Sequence, residues 1–252
     1  MQRIGYGDGM SRRSALSKMS KHAGKASGVQ RNSRQRPSPG RPRVPFDRIV
    51  DMALRVVDEE GAEALSMRTL AQRLGTGTAT LYRAVANRAE LIAHVVDRVF
   101  GEIEVAPELF QGDDWQRACL TAAQAAFDTL RRHRRVAPLL IEQVPTGPNA
   151  MIFREQILAL LLDNGFSREA AARAYATIAH FVLGFAVQVQ LHNAAADADS
   201  ARIRALYHQL DPARFPATLR VADVLTQETL EEEFRFGLDL IVAGLAGMSD
   251  AT

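Results

Sequence analysis

Apolar residues recur at helical spacing along most of the chain after Pro45. In the first such segment they lie at i, i+3, i+4, i+7 and i+8, which places them on one helix face: Phe46, Ile49, Val50, Ala53, Leu54 and Val57. Ser66 is an N-cap candidate, and Asn87 with Glu90 forms a candidate capping box before a long helix over 88–104. No strand-like alternation interrupts this pattern, which predicts an all-α protein.

The second half of the chain keeps the helical periodicity, with breaks at Gly147-Pro148 and Asn164-Gly165. Helices are predicted over 114–132, 136–143, 148–163, 168–193 and 227–246. The stretch 194–226 is rich in Ala and Asp and contains Asp211-Pro212 and Phe215-Pro216. We expect a long connection there, in which 201–209 is the candidate for one short helix. Three parts follow: an N-terminal arm over 1–45, a small helical domain over 46–104 and a larger one over 105–252.

The segment 65–91 indicates DNA binding. Two short helices separated by Gly75-Thr76-Gly77 are typical of a helix-turn-helix, whose second helix enters the major groove. Small and hydrogen-bonding residues there suit close approach to base edges: Thr76, Thr78, Ala79, Thr80, Tyr82 and Arg83. Short helical hairpins are also common in all-α proteins without DNA, so the hairpin alone leaves both interpretations open.

Individual roles follow from the chemistry of base edges and phosphates. Arg83 is the candidate for bidentate contact with guanine. Thr69, Tyr82 and Arg88 are candidates for phosphate contacts, which set the register on DNA without distinguishing its sequence. Leu81 and Val85 are expected in the core, because their i, i+4 spacing directs them toward the preceding helices.

The composition is that of a globular protein, with 47% hydrophobic and 24% charged residues. A single cysteine, Cys119, excludes an internal disulfide framework and a multi-cysteine metal site. It is expected as a small buried hydrophobe, with a redox-sensing thiol as the alternative. No uninterrupted apolar run approaches the roughly 20 residues that cross a bilayer, and no typical signal peptide is present. A cytoplasmic protein without a membrane partner is expected.

The net charge of +2 conceals an uneven distribution, because residues 1–45 have a net charge of +10 and the rest of the chain −8. A basic arm on an acidic body favours nucleic acid as a partner, although a solvated leader, or one outside the native start, is the alternative. The arm also contains Pro-Gly-Arg-Pro-Arg over 39–43, which resembles the core of a minor-groove AT-hook. Arg41 and Arg43 would then contact DNA, unless the segment is an uncommitted basic linker.

Three segments together resemble the DNA-binding domain of TetR-family transcriptional regulators: LAQRLG (70–75), TLYR (80–83) and NRAELI (87–92). The resemblance covers about 46–92. It implies a homodimeric, ligand-responsive repressor on a pseudo-palindromic operator, with a recognition helix over about 78–84. It also places Arg88 at the family's basic phosphate-contacting position. The chain departs from the family at Gly77, usually a serine cap, and at Ala84-Val85, usually an aromatic pair.

The second half resembles the tetracycline-repressor type of ligand domain over most of 114–246. The resemblance is carried by Trp115, LRRH (130–133), PTGPN (145–149), NGF (164–166), HFVLGF (180–185) and FGLDLI (236–241). By this match the family's metal-ligating histidine falls on Leu140 and its glutamate on Gln188. A tetracycline–magnesium complex is therefore not expected, since these side chains are poor Mg²⁺ ligands.

The expected effector is a small apolar molecule in a largely apolar pocket, with no metal and no cofactor. Candidate lining residues are Gln124, Leu140, Gln143, His180 and Gln188. His180 is otherwise a core histidine, and Gln188 is otherwise a hydrogen-bonding residue of an interface.

Two late segments have the composition of a dimer interface. Small residues concentrate over 170–190, and a broad apolar face runs over 230–246. Two such helices from each subunit predict an intersubunit four-helix bundle, unless both pack within one subunit. Two other functions stay open. An α-helical enzyme is one, although no nucleophile–base pair or metalloprotease motif can be identified. A non-specific architectural DNA-binding protein, acting through the basic arm, is the second.

Overall fold

A computed structural model describes residues 44–112, 114–191 and 196–249, and every regular element in these ranges is helical. The all-α prediction is therefore confirmed. The α-helices are α1 (Phe46–Glu60), α2 (Met67–Arg73), α3 (Thr78–Leu81), α4 (Arg88–Phe100), α5 (Trp115–Arg132), α6 (Leu139–Glu142), α7 (Pro148–Asp163), α8 (Arg168–Leu191), α9 (Ala196–His208), α10 (Pro216–Leu225) and α11 (Leu230–Ser249). Short 3₁₀ turns cover Ala62–Ala64 and Pro107–Gln111. Residues 1–43 of the basic arm, which include Arg41 and Arg43, lie outside the described residues.

Helices α1 to α4 form the N-terminal helical unit around a shared apolar core. The predicted face of α1 is buried from Ile49 onward, but Phe46 is 41% exposed. Its ring packs edge-on against His94 of α4, with the centroids 4.8 Å apart. Helix α4 is shorter than the predicted 88–104, since it ends at Phe100. Ile103 lies beyond that end and packs against the core from an irregular segment.

The larger unit is built around α8, which packs against α5, α7 and α11. Aromatic contacts join these helices at two places. Phe127 of α5 stacks on Phe234 of α11 with ring centroids 4.1 Å apart. Trp115 meets Phe166 edge-on at 4.9 Å. By length and composition α8 is the one described helix able to cross a membrane, yet its buried residues recur every three or four positions against its neighbours: Ala171, Ala174, Ile178, Val182 and Ala186.

The prediction for 194–226 is confirmed in part. The helix expected near 201–209 is present as the longer α9, but a second helix, α10, takes the place of the expected irregular chain and packs against α9. Pro216 does not interrupt the helical structure, because it occupies the first turn of α10, where its missing N–H costs no hydrogen bond. Their outer apolar side chains remain more than half exposed in the single chain: Leu206, Val224 and Leu225.

Candidate DNA-binding surface and effector cavity

Local hydrogen bonds define both ends of α2 and, at its C-terminal end, the turn that leads to α3. Ser66 caps α2, since its Oγ accepts from the Thr69 backbone N–H at 3.0 Å. At the other end Gly75 has φ +63°, and the N–H of Thr76 donates to the Ala71 carbonyl at 3.0 Å. With the N–H of Gly75 bonded to Gln72, this is a Schellman ending, which glycine adopts without steric penalty. The turn therefore has the geometry expected for a helix-turn-helix.

Helix α3 presents the predicted recognition residues to solvent. Thr78, Ala79, Tyr82 and Arg83 are exposed, and Thr80 is half-buried. An Arg83 Nη2 donates to Thr80 Oγ1 at 3.3 Å, which holds the guanidinium along the outer face. The expected core positions Leu81 and Val85 are 0% and 2% exposed. Their burial anchors α3, so a short helix without a side-chain cap at Gly77 still has a defined orientation.

Other predicted DNA contacts have partners inside the unit. Thr69 Oγ1 lies 2.8 Å from Ser66 Oγ, and Thr76 is half-buried in the turn. Arg88 donates from Nε to the Leu65 carbonyl at 2.8 Å and from Nη2 to the Ala62 carbonyl. Arg88 thus ties the start of α4 to the segment before α2. These two carbonyls use two of the five N–H groups of the Arg88 guanidinium. Contact between Arg88 and a DNA phosphate stays a prediction, and it would use the remaining N–H groups.

The predicted capping box at the start of α4 is present in a shifted form, because the Glu90 side chain reaches the residue before the N-cap and not Asn87 itself. Asn87 Oδ1 accepts from the Glu90 backbone N–H at 2.9 Å. Glu90 Oε2 in turn accepts from the backbone N–H of Ala86 at 2.6 Å. These contacts fix the position at which α4 begins after α3.

A cavity of about 420 Å³ lies among α4, α5, α7, α8 and the segment around α6. Most of its lining is apolar, with side chains such as Phe100, Ala123, Leu140, Phe153, Ile157 and Val182. The polar groups at its wall are Arg154, Tyr175 and His180. This volume and composition suit a small, mostly apolar molecule.

Of the predicted lining residues, Leu140 and His180 border the cavity. His180 is exposed, so the alternative of a buried core histidine is wrong. Gln124, Gln143 and Gln188 are not part of this wall. Gln124 is turned about 100° around α5 from the lining Ala123, and borders a separate depression toward α11.

The other two glutamines miss the cavity for different reasons. Gln143 is the half-buried residue that ends α6. Gln188 is exposed and lies beyond Leu183, the last α8 residue at the cavity. None of these three glutamines borders this cavity, so their predicted role in effector binding stays a prediction that its lining does not support.

Arg154 and Tyr175 are functional candidates that the sequence analysis missed. Arg154 Nε donates to Tyr175 Oη at 3.1 Å, and an Nη2 donates to the Pro145 carbonyl at 3.0 Å. The guanidinium carbon also lies 5.7 Å from the centroid of the Tyr175 ring. One clue was available: Arg154 precedes Ile157 and Leu161 by three and seven residues, on the inward face of an otherwise apolar segment.

Cys119 also borders the cavity, with its side chain 1% exposed. Burial raises the pKa of its thiol to about 12, because the thiolate is poorly solvated there. The protonated thiol is a weak nucleophile at neutral pH. These features favour the buried hydrophobe over the redox sensor.

Asp97 joins the end of α4 to the start of α7. Its carboxylate is 7% exposed and accepts from the Ala150 backbone N–H at 3.1 Å and from Asn149 Nδ2 at 3.0 Å. Gly147 lies so close that an added Cβ would be 2.3 Å from Asp97 Oδ1. A carboxylate at a helix N-terminus is stabilised by the free N–H groups of the first turn. Since Val99 and Phe100 of α4 line the cavity, one rigid element connects the cavity with the recognition region.

A second junction is centred on His133, at the end of α5. Its Nδ1 lies 2.8 Å from Asp58 Oδ2 of α1, and its Nε2 lies 2.8 Å from Glu102 Oε2 beyond α4. Arg135 adds a bond to the Asp58 carbonyl at 3.3 Å. The C-terminal end of α1 is therefore attached to the larger unit by polar contacts.

Comparison with known families matches both halves of the chain. Residues 49–95 match the model of bacterial regulatory proteins of the tetR family, and residues 106–249 match the tetracyclin repressor-like C-terminal domain. The HTH-type transcriptional repressor DrrR1 of Streptomyces coeruleorubidus is 32% identical over 84% of this chain and 81% of its own. The class E tetracycline repressor protein of Escherichia coli is 30% identical over 82% of this chain and 93% of its own.

Solved structures give the same assignment. The apo structure of ActR from Streptomyces coelicolor superposes with a TM-score of 0.76 and 33% identity, over 84% of this chain and 99% of that one. The ActR complex with actinorhodin superposes equally well, at 34% identity over 83% of this chain and 99% of that one. The sequence, the fold and the helix-turn-helix agree: the chain belongs to the TetR family of bacterial regulators, with a tetracycline-repressor-like C-terminal domain.

Proposed function

We propose that this protein is a cytoplasmic transcriptional repressor that binds a pseudo-palindromic operator as a homodimer and is released by a small, mostly apolar effector. The main support for this proposal is that α4 extends from the predicted recognition residues to the wall of the cavity. This helix begins beside the exposed recognition residues, is capped there by Asn87, and ends with Phe100 in the wall of the cavity. A molecule in the cavity therefore contacts the same helix that positions α3.

DNA recognition is assigned to the exposed surface of α3 and the turn after it. Thr78, Ala79 and Thr80 allow close approach of the helix to base edges, and Arg83 supplies a bidentate donor. Tyr82, which is 55% exposed, has its hydroxyl available for a phosphate. Two such surfaces in a symmetric dimer would occupy successive major grooves, roughly 34–36 Å apart.

Dimerisation is assigned to α8 and α11. On α11 the large apolar residues Phe236 and Leu240 are 68% and 59% exposed in the single chain, one helical turn apart. The exposed positions of α8 that recur along one face include Thr177, His180 and Gly184. The two helices contact each other, so together they offer a surface that a second copy would cover as a four-helix bundle.

The effector is assigned to the cavity by its apolar wall. A tetracycline–magnesium complex fits it poorly, because Leu140 has no atom able to ligate Mg²⁺. The similar ActR structures include complexes with actinorhodin and with (S)-DNPA, which supports a ligand-binding role for this domain. Effector binding releases DNA only if the effector binds the two conformations with different affinity. Movement of α4 relative to α7, at the Asp97 junction, is the proposed difference.

The test is binding of the purified full chain to the DNA just upstream of its own gene, at about 150 mM salt with excess competitor duplex, because salt controls non-specific affinity. Two protected half-sites related by two-fold symmetry, lost on addition of an effector, are the expected result. Affinity that competitor duplex abolishes at every tested sequence would contradict specific repression and would instead favour an architectural DNA-binding protein.

A further inference from the structure

The charge of the cavity wall is unbalanced. Among its described lining residues Arg154 is the one permanently charged side chain, and none is Asp or Glu. A partly buried cation beside an apolar space is costly unless an anion or several hydrogen bonds compensate it. The wall is therefore more favourable to a negative group than its apolar composition suggests.

Arg154 differs from several other arginines of the protein in its partners. Arg73, Arg98, Arg131 and Arg235 each pair with at least one carboxylate. The described partners of Arg154 are uncharged: Tyr175 Oη at 3.1 Å, the Pro145 carbonyl at 3.0 Å and Met151 Sδ at 3.0 Å. These contacts use three of the five guanidinium N–H donors, so the group is held in place while donors and charge remain for a ligand.

Tyr175 provides a second donor at the same point. Its oxygen accepts the Arg154 Nε–H, so its own proton is free to point elsewhere. Both residues border the cavity, one from α7 and the other from α8. A guanidinium and a phenolic O–H side by side are the donors that recognise a carboxylate, sulfonate or phenolate oxygen.

We propose that the effector is an amphipathic anion, with an apolar ring body in the cavity and one acidic group bound by Arg154 and Tyr175. The inference rests on the proposed function and specifies the chemistry of its ligand. It adds an ionic requirement that the apolar wall alone would not predict.

The experiment uses two fluorescent probes that share one aryl skeleton. 1-Anilinonaphthalene-8-sulfonate has a sulfonate, and N-phenyl-1-naphthylamine is its neutral counterpart. Each is titrated into the full-length protein and its variants. In R154Q the affinity for the sulfonate should fall about tenfold or more, because a charged hydrogen bond is lost, while the neutral probe changes less than about twofold. R154K should recover part of the loss, because it restores the charge without the fork of donors.

Three further variants locate the effect. R117Q removes an exposed arginine of α5 outside the cavity wall and should leave both affinities unchanged. A126L extends a side chain into the cavity and should weaken both probes. If R154Q does not fold, Y175F is the substitute, because it keeps the guanidinium. It should lower the affinity for the sulfonate probe by a few-fold and leave that for the neutral probe unchanged.

The inference is overturned if R154Q lowers the affinity for both probes equally. It is also overturned if A126L leaves the affinities for both probes unchanged. Absence of measurable binding of the sulfonate to the wild-type protein also overturns it. Operator binding by the wild-type chain is measured separately. Specific DNA binding without preference for the sulfonate would refute the ionic requirement and leave the repressor proposal unaffected. Selectivity without specific DNA binding would remove the repressor proposal alone.

Discussion

Replacement of Asp97 by asparagine tests the junction between α4 and α7. The substitution keeps the shape of the side chain but removes its charge and replaces one acceptor oxygen by an NH₂ donor. Asp97 accepts from two donors, the Ala150 N–H and Asn149 Nδ2, on separate carboxylate oxygens. In D97N one of these donors must face an NH₂ group, and the first turn of α7 loses the negative charge beside it.

The expected loss of stability in D97N is estimated from the burial of the Asp97 side chain. The side chain is 7% exposed, so water cannot replace the lost acceptor. A charged hydrogen bond contributes about 1.5–3 kcal/mol, and an unsatisfied buried donor costs about 1–3 kcal/mol. Since the two effects overlap, D97N should lower the free energy of unfolding by about 2–3 kcal/mol. At about 2–4 °C per kcal/mol for a chain of this size, the Tm should fall by about 4–12 °C.

Thermal unfolding by circular dichroism, at one protein concentration, measures the effect. D51N is the matched control, because Asp51 is half exposed and its ion pair with Arg98 at 3.3 Å lies at the surface. Such a pair contributes about 0–1 kcal/mol, so D51N should shift the Tm by a few degrees at most. Equal shifts in D97N and D51N would refute the reasoning, because burial of the acceptor would then have no consequence.

Four other predictions concern the DNA, the interface and the thiol. R83A should change base preference at one operator position at a cost of about 1–3 kcal/mol, measured with a panel of single-base operator variants; a uniform loss over all variants would make Arg83 a phosphate contact. Replacing Arg41 and Arg43 together by alanine should lower DNA affinity and reduce the slope of log K against log salt by about 2, and an unchanged slope would exclude a contact by the arm. F236E should convert the proposed dimer to monomer in light scattering, since it would place a charge in the proposed apolar interface; a dimeric mass that F236E leaves unchanged would mean that the interface lies elsewhere. Because burial raises the pKa of Cys119 from 9.0 to about 12, the folded chain holds its proton where the unfolded chain loses it, so stability should fall as pH rises from 9.0 toward 12. C119A should show a smaller decline over this range, because it lacks the contribution of the buried thiol, and identical profiles in both proteins would contradict this contribution.

Elements defined by local interactions were predicted from the sequence. The Ser66 cap and the pairing of Asn87 with Glu90 each depend on residues within one helical turn. Such contacts form wherever the helix forms, so their spacing in the sequence is sufficient evidence. The helix α10 was missed because Pro216 can either end a helix or begin one, and the sequence alone does not distinguish these.

The set of residues that border the cavity could not be predicted from the sequence, because it depends on contacts between separate helices. Gln124 and Ala123 are neighbours in the chain, but only Ala123 borders the cavity, because adjacent residues of a helix point about 100° apart. Arg154 and Tyr175 meet from two helices, and Asp97 reaches the start of α7 across 53 residues. The rotation of each helix about its axis is set by packing against its neighbours, which no local pattern specifies.

The amino-acid sequence by itself determined the helical class, the position of the helix-turn-helix and its family, because hydrophobic periodicity and capping act over a few residues. Only the tertiary structure decided which side chains border the cavity and how the cavity is joined to α4. Those features arise where separate helices pack together, and a single polar residue on each becomes a site only when their faces are brought into contact.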